Sequence, residues 1–208
     1  RHLGAGGIPI DSEILFSPLR NEVGEITHVI EAVRDVSELV QARDDLMRAE
    51  ASARHAAVIS RAIADASLRY LETGNVTTMA RLIVDQAAAI TGATLGVVIG
   101  LDEQQAPRIL AVNAAIWEGE AGLALRDEVE RQIAARGHAE LPAGENLLLA
   151  PIRARSTVIS NQPPQHPQWR GRPPAGHPVI TSYLGVPLML GDMAVGVLAL
   201  ANRPGGFG

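Results

Sequence analysis

The chain has 208 residues, 47% of them hydrophobic, and a net charge of −5, with 18 basic residues scattered among 23 carboxylates; no basic stripe tracks a phosphate backbone, so nucleic acid is not expected as a direct partner. Every basic residue is arginine and cysteine is absent, which removes disulfides, iron–sulfur clusters, thiol nucleophiles, Schiff-base lysines and the P-loop lysine. No apolar run approaches the roughly 18 residues of a membrane span, and the opening Arg1-His2-Leu3-Gly4 has neither an initiator methionine nor a signal-peptide layout, so the expectation is a cytoplasmic piece of a longer protein.

Residues 8–19 and 25–34 are predicted as two strands around the turn-prone Arg20-Asn21-Glu22-Val23-Gly24. They run into Asp35-Val36-Ser37-Glu38. Ser17-Pro18-Leu19, Gly24-Glu25-Ile26 and this exit resemble the last strands of a PAS domain and the Asp-Ile-Thr-Glu junction that leads such domains into a helix. The resemblance assigns 1–36 to the C-terminal part of a PAS domain, too short to hold that domain's own pocket.

Residues 37–73 lack both Gly and Pro, and Gly74 supplies a stop. Leu39, Ala42, Leu46, Ala49, Ala53, Ala56, Ser60, Ile63, Ser67 and Tyr70 recur in alternating steps of three and four, the seam of a coiled coil. The expectation is a parallel homodimer with Leu39, Leu46, Ala53, Ile63 and Tyr70 buried between chains. An ordinary amphipathic helix packed on its own domain is the alternative, and the small seam residues make any dimer weak. His55 reads as a solvated helix position, since Ala53-Arg54-His55-Ala56-Ala57 lacks the acidic neighbour and downstream Pro of a phosphorylated histidine.

Beyond Gly74, Asn75 is placed as a helix N-cap, Val76, Met79, Ile83, Ala87 and Ile90 form one apolar face, and Gly92 closes the helix. Strands follow at 94–101 and 108–114 around the polar Asp102-Glu103-Gln104-Gln105-Ala106-Pro107. Leu125, Val129 and Ile133 mark a short surface helix ended by Gly137. The segment 145–152 precedes a strand at 156–160, and 161–179 is a loop made stiff by six prolines. The last two strands, 182–190 and 193–201, form a hairpin about Gly191-Asp192. Gly185 and Gly196 inside them mark either a bulge or close approach by another group, which would fit a ligand wall, or a kink that curves the sheet.

The wording of this end, Gly176-His177-Pro178, Ser182-Tyr183-Leu184-Gly185-Val186-Pro187 and Ala201-Asn202-Arg203-Pro204-Gly205-Gly206, closely resembles the closing hairpin of GAF domains of bacterial sensors. The resemblance covers 74–208, without the terminal helix that usually follows. It implies an α+β fold with a central antiparallel sheet and flanking helices, a small-molecule or relay module, and no catalytic site of its own. It also makes 37–73 a signalling helix that passes a change in pitch or register from PAS to GAF. The effector expected beyond it is a histidine kinase, or alternatively a diguanylate cyclase. Covalent bilin attachment is excluded by the absent cysteine, and the cyclic-nucleotide signature of the family fails for want of its lysine. No phosphoacceptor box, ATP-binding glycine motif, cyclase signature or Ser-His-Asp arrangement is present.

In the resemblance, 145–152 covers a pocket formed with the strands of Tyr183 and Val197 and closed by the proline-rich loop. Its expected lining is Trp117, Asn146, Leu147, Ile152, Trp169, His177, Ile180, Tyr183 and Val186, with Arg153, Arg155 and Arg172 nearby to grip an anionic group. The ligand is unknown, and a modest apolar or heterocyclic molecule fits such a lining. His177 either holds a ligand or heme iron, or bonds a backbone carbonyl to stabilise its loop. Its spacing from His166 matches no metal motif. Asn161 and Asn202 either cap exposed backbone at strand ends or touch a ligand. A pocket filled by its own side chains, leaving a pure dimerisation platform, is the further alternative.

Overall fold

The computed structural model describes residues 2, 3, 9–113, 117–141, 146–170 and 174–208, and the chain divides into two compact units, 1–58 and 59–208. Arg172 and Glu145, named above, lie outside the described residues.

In the first unit, β1 (His2–Leu3) pairs with β2 (Pro9–Ile10), and β3 (Ser12–Arg20) pairs antiparallel with β4 (Ile26–Asp35). The single strand expected over 8–19 is therefore broken at Asp11. There the backbone turns to other partners: Asp11 N–H donates to Ser37 Oγ at 2.9 Å, and its carbonyl accepts the N–H of Val36 at 2.9 Å. The turn at 20–24 closes as expected, with Asn21 Oδ1 accepting from the N–H groups of Val23 and Glu25. Helix α1 (Ser37–Thr73) starts at this junction, where the Asp35 carboxylate accepts the Ser37 N–H at 2.9 Å. Four exposed ion pairs, Arg48–Asp45, Arg54–Glu50, Arg61–Asp65 and Arg69–Glu72, lace its surface, each worth a few tenths of a kcal/mol. The stop is the one expected, since Gly74 takes φ 63° and donates its N–H to Tyr70 O. Leu39, Leu46, Ala53, Ile63 and Tyr70 are all exposed in the single chain.

The second unit is built on a six-stranded antiparallel sheet in the order β7-β6-β5-β10-β9-β8, comprising β5 (Leu95–Leu101), β6 (Pro107–Val112), β7 (Ala139–Glu140), β8 (Val158–Ser160), β9 (Tyr183–Leu190) and β10 (Met193–Ala201). Helix α2 (Val76–Thr91) is capped by the Asn75 side chain, which accepts from Thr77 and Thr78 N–H, and ends at Gly92 in the left-handed region. Helix α3 (Gly119–Arg136) is longer than the short surface helix expected around Leu125 to Ile133, and Gly137 stops it as expected. The segment before β8 folds as the 3-10 turn Leu147–Leu149 followed by α4 (Ala150–Ala154), with Pro151 in its first turn.

Strand alternation divides the core. Ile99, Val197, Ala199 and Ala201 face one side of the sheet, in a cluster joined by Val129 and Ile133 of α3. Val98, Ala111 and Leu198 face the other, against Ala80, Ile83 and Val84 of α2. Helices α2 and α3 thus lie on opposite faces of the sheet, giving an α+β architecture of helix, sheet and helix.

Candidate functional site

The α3 face of the sheet gathers most of the expected lining. Leu147, Ile180 and Tyr183 are buried there, and Trp117, Ile152 and Trp169 pack against the same cluster. Val186 does not join them. It stands opposite Leu198 in the β9–β10 ladder, and cross-strand partners share a face, so it belongs with α2. Tyr183 stands opposite Ala201, on the α3 face.

Several of these side chains are held by the protein's own backbone. The Asn146 amide oxygen accepts from Leu149 N–H at 3.2 Å and caps the 3-10 turn. Trp117 Nε1–H donates to Asn113 O at 3.2 Å. The Tyr183 hydroxyl donates to Leu148 O at 3.4 Å, and burial pushes its pKa far above the usual phenol range. Its ring lies along β9 over Gly185. A Cβ on Gly185 would collide with the Tyr183 hydroxyl and come within 2.5 Å of Pro151 Cγ. The close approach foreseen at Gly185 is made by Tyr183 itself, and at Gly196 both readings meet, since a Cβ there would collide with the Ile99 carbonyl and the ladder to β9 shifts register beside it.

The Gly-His-Pro loop is seated on the first turns of α3. A Cβ on Gly176, which has φ 83°, would run into the Ala121 carbonyl and come within 2.6 Å of Gly122 N, and one on Gly122 would lie 3.2 Å from Gly176 O. Two glycines let the two backbones touch. The His177 ring meets Trp117 edge-on, with centroids 6.0 Å apart and an interplanar angle of 75°, and its Nδ1–H donates to Pro178 O at 2.8 Å. Among its possible roles, the ring performs the bond to a backbone carbonyl. Arg153 and Arg155 are exposed at the end of α4, and Arg155 itself takes a positive φ of 50°.

Asn161 and Asn202 both cap backbone. Asn161 accepts from Phe207 N–H at 2.8 Å and donates to Phe207 O at 2.9 Å. Asn202 accepts from Thr181 N–H at 2.8 Å and donates to Val179 O at 2.7 Å. With Thr181, Ser182, Arg203, Pro204, Gly205 and Gly206 they also line an open cleft of about 380 Å³. Ser182 is spent there as well, accepting from Arg203 N–H at 3.0 Å.

Sequence reasoning missed two groupings. Asn113, buried at the end of β6, accepts from Gly96 N–H at 2.7 Å and pins the first hairpin. Arg81 of α2 reaches the Glu130 carboxylate of α3, with one Nη2–Oε2 distance of 2.6 Å, and donates its other Nη to Val112 O. Arg81 lies off the apolar face read from the sequence, although it borders the Ala80, Val84 and Ala88 side that is buried, and its partner is 49 positions away, so no local spacing announced the pair. Among the described residues no group of three or more His, Cys, Asp or Glu side chains is arranged to hold a metal ion, and no helix is long and apolar enough to cross a membrane.

Residues 73–208 match the family model described as the GAF domain. The GAF domain of an Acinetobacter phosphoenolpyruvate-protein phosphotransferase superposes with a TM-score of 0.51 at 17% identity, over 72% of this chain and 77% of that one. The corresponding domain of a phosphoenolpyruvate-protein phosphotransferase (ptsP) from Coxiella burnetii gives 0.50 at 14% identity, over 69% and 76%. At such identities the likeness concerns the fold alone. No curated protein matches the chain. With the sheet, its two helical faces and the family match over well more than half its length in agreement, the chain belongs to the GAF domain family.

Proposed function

We propose that this chain is the sensory and relay region of a bacterial signal-transduction protein. Residues 1–36 are the end of a PAS domain, 37–73 a dimeric signalling helix and 74–208 a GAF domain that receives a small molecule on its α3 face. The output domain of the whole protein is a histidine kinase, with a diguanylate cyclase as the alternative effector, and the region itself catalyses nothing. The observation that carries the reading is the convergence of Leu147, Ile152, Ile180, Tyr183, Trp117 and Trp169, drawn from four separate segments, on one apolar cluster. Over it lies a proline-rich loop seated on α3. Such a wall of aromatic and aliphatic side chains suits a modest apolar or heterocyclic ligand, and proline limits the ordering entropy that capture would cost.

A second reading has its own support. The Tyr183 ring and Pro151 already cover Gly185, and the Tyr183 hydroxyl already has a carbonyl partner, which favours a self-filled core serving as a dimerisation platform. Trp117 and Trp169 separate the two readings, because both border the cluster and they are the chain's two tryptophans. Titration with hemin, cyclic nucleotides and aromatic metabolites, followed by intrinsic fluorescence, melting temperature and visible absorption, should give a saturable change with one of them. If none changes emission or melting, the platform reading replaces the sensor.

A further inference from the structure

The two faces of the sheet are separate apolar clusters, yet one side chain bridges the helices that cover them. Strand β7 pairs with β6 only at Arg108↔Glu140 and Ile109↔Ala139, so the outer edge of β6 beyond Ile109 has no strand beside it among the described residues. Arg81 of α2 comes round this open edge. One Nη donates to the edge carbonyl of Val112, and the other reaches both oxygens of Glu130 on α3. The two side chains are 32% and 36% exposed, so water screens the pair only in part. The two Nη groups of the guanidinium, fixed in one plane, serve the carbonyl and the carboxylate in a set orientation that a freely rotating ammonium does not hold. Glu130 is the next residue to Val129, which packs into the α3-face cluster. Arg81 is the next residue to Ala80, buried at 2% exposure in the α2 cluster. A small rotation of α3 would therefore act directly on α2, with no need to distort the sheet between them.

We propose that Arg81 and Glu130 form a strut that carries rearrangement of the α3-face cluster around the sheet edge to α2. This rests on the reading that the signal enters at that cluster. Asp85, one turn along α2 from Arg81, is a further carboxylate close enough for the charges of Arg81 and Glu130 to act on it.

The test is hydrogen exchange across α2 and α3 in the whole chain and in Val129→Ala, Glu130→Ala and the double variant. Val129→Ala trims α3 on its cluster side and leaves the strut in place. With the strut intact it should speed exchange of the central α2 amides by roughly tenfold, an ordinary response to trimming one core side chain. In the Glu130→Ala background the same trimming should speed α3 while leaving α2 within about twofold of Glu130→Ala alone. An equal α2 response in both backgrounds overturns the strut, as does no α2 response when the strut is intact. Should Glu130→Ala fail to fold, Arg81→Lys takes its place in the cycle, keeping the charge and losing the fork. No ligand enters the experiment, so a failed strut leaves the pocket reading standing, and a failed titration leaves the strut standing.

Discussion

Tyr183 occupies the space that a side chain at Gly185 would need. The two residues lie two apart on the same face of β9, and the ring runs forward along the strand until its hydroxyl stands where a Gly185 Cβ would be. Gly185→Ala should therefore displace the ring and Pro151 together. The expected loss is about 1 to 3 kcal/mol, the usual penalty for overpacking a core, measured by denaturant unfolding. Tyr183→Phe removes only a long hydrogen bond and should cost less than about 1.5 kcal/mol. Burial raises the folded pKa of Tyr183 above its ordinary value of 10.0. The folded state therefore holds the proton more tightly, and stability falls as pH rises past that ordinary value. Ultraviolet titration should show this phenol ionising with unfolding.

Asp85 should be a liability at neutral pH. Partial withdrawal from water raises its pKa above 3.8, Arg81 opposes the rise, and Glu130 adds to it. For an acid with a raised folded value, the folded state is favoured while the group is protonated. That advantage is lost as pH climbs from 3.8 through the raised value. Asp85→Asn should thus be more stable than the wild type at pH 7, with the difference vanishing below pH 3.8. A melting series across that range checks both the sign and the window.

The junction that begins α1 should show the opposite dependence. The Ser37 backbone and hydroxyl both lower the Asp35 pKa from 3.8, so its contribution is present above that value and fades as pH falls through the lowered one. Ser37→Ala removes the acceptor for Asp11 N–H as well as one of the bonds to Asp35. Its effect should appear as faster hydrogen exchange at the start of α1 and at Asp11. An unchanged exchange pattern there would mean that the strand pair and the helix are joined by chain connectivity alone.

The seam of α1 makes a prediction about assembly. Leu46 is 69% exposed in the single chain, and a parallel coiled coil would bury it. Light scattering should find a dimer that Leu46→Glu weakens by about 2 to 5 kcal/mol, the range for losing a buried leucine. Inserting four residues after Ala49 should change the output of the intact protein, because it rotates the downstream seam out of register. A monomer at high concentration would remove the signalling-helix reading.

How much was legible follows from the range of each interaction. Asn75, Gly74 and Gly137 announce helix ends through bonds to neighbours within four positions and Gly92 through its left-handed φ, and the structure places all four as read. The closing hairpin was equally clear, since Gly191-Asp192 and alternating apolar residues fix it locally. The break at Asp11 was not, because its cause is Ser37, 26 positions away. Val186 was misplaced for a related reason. Loosely grouping apolar residues near Tyr183 ignored the two-residue period that sends 183 and 186 to opposite faces. In the candidate site, Leu147, Ile152, Ile180, Tyr183, Trp117 and Trp169 share one apolar cluster, where a ligand pocket was expected. The bond from His177 to a backbone carbonyl was one of the two roles read for it, whereas the cap that Asn146 puts on Leu149 N–H was not foreseen.

That division of roles gives the clearest test of the loop. Gly176 has φ 83° and touches the Ala121-Gly122 backbone, so Gly176→Ala is opposed by both strain and collision. The only relief is for the loop to rise off α3, which must also part His177 from Trp117. The variant should lose about 1 to 3 kcal/mol of stability, and the Trp117 emission should shift to the red as water reaches the indole. His177→Ala separates the two contributions, because it removes the ring contact while the glycine seat remains. If the backbone seat holds the loop, His177→Ala should change emission only slightly, whereas Gly176→Ala should change it strongly. The reverse ranking would make the imidazole, rather than the paired glycines, the element that closes the loop over the cluster.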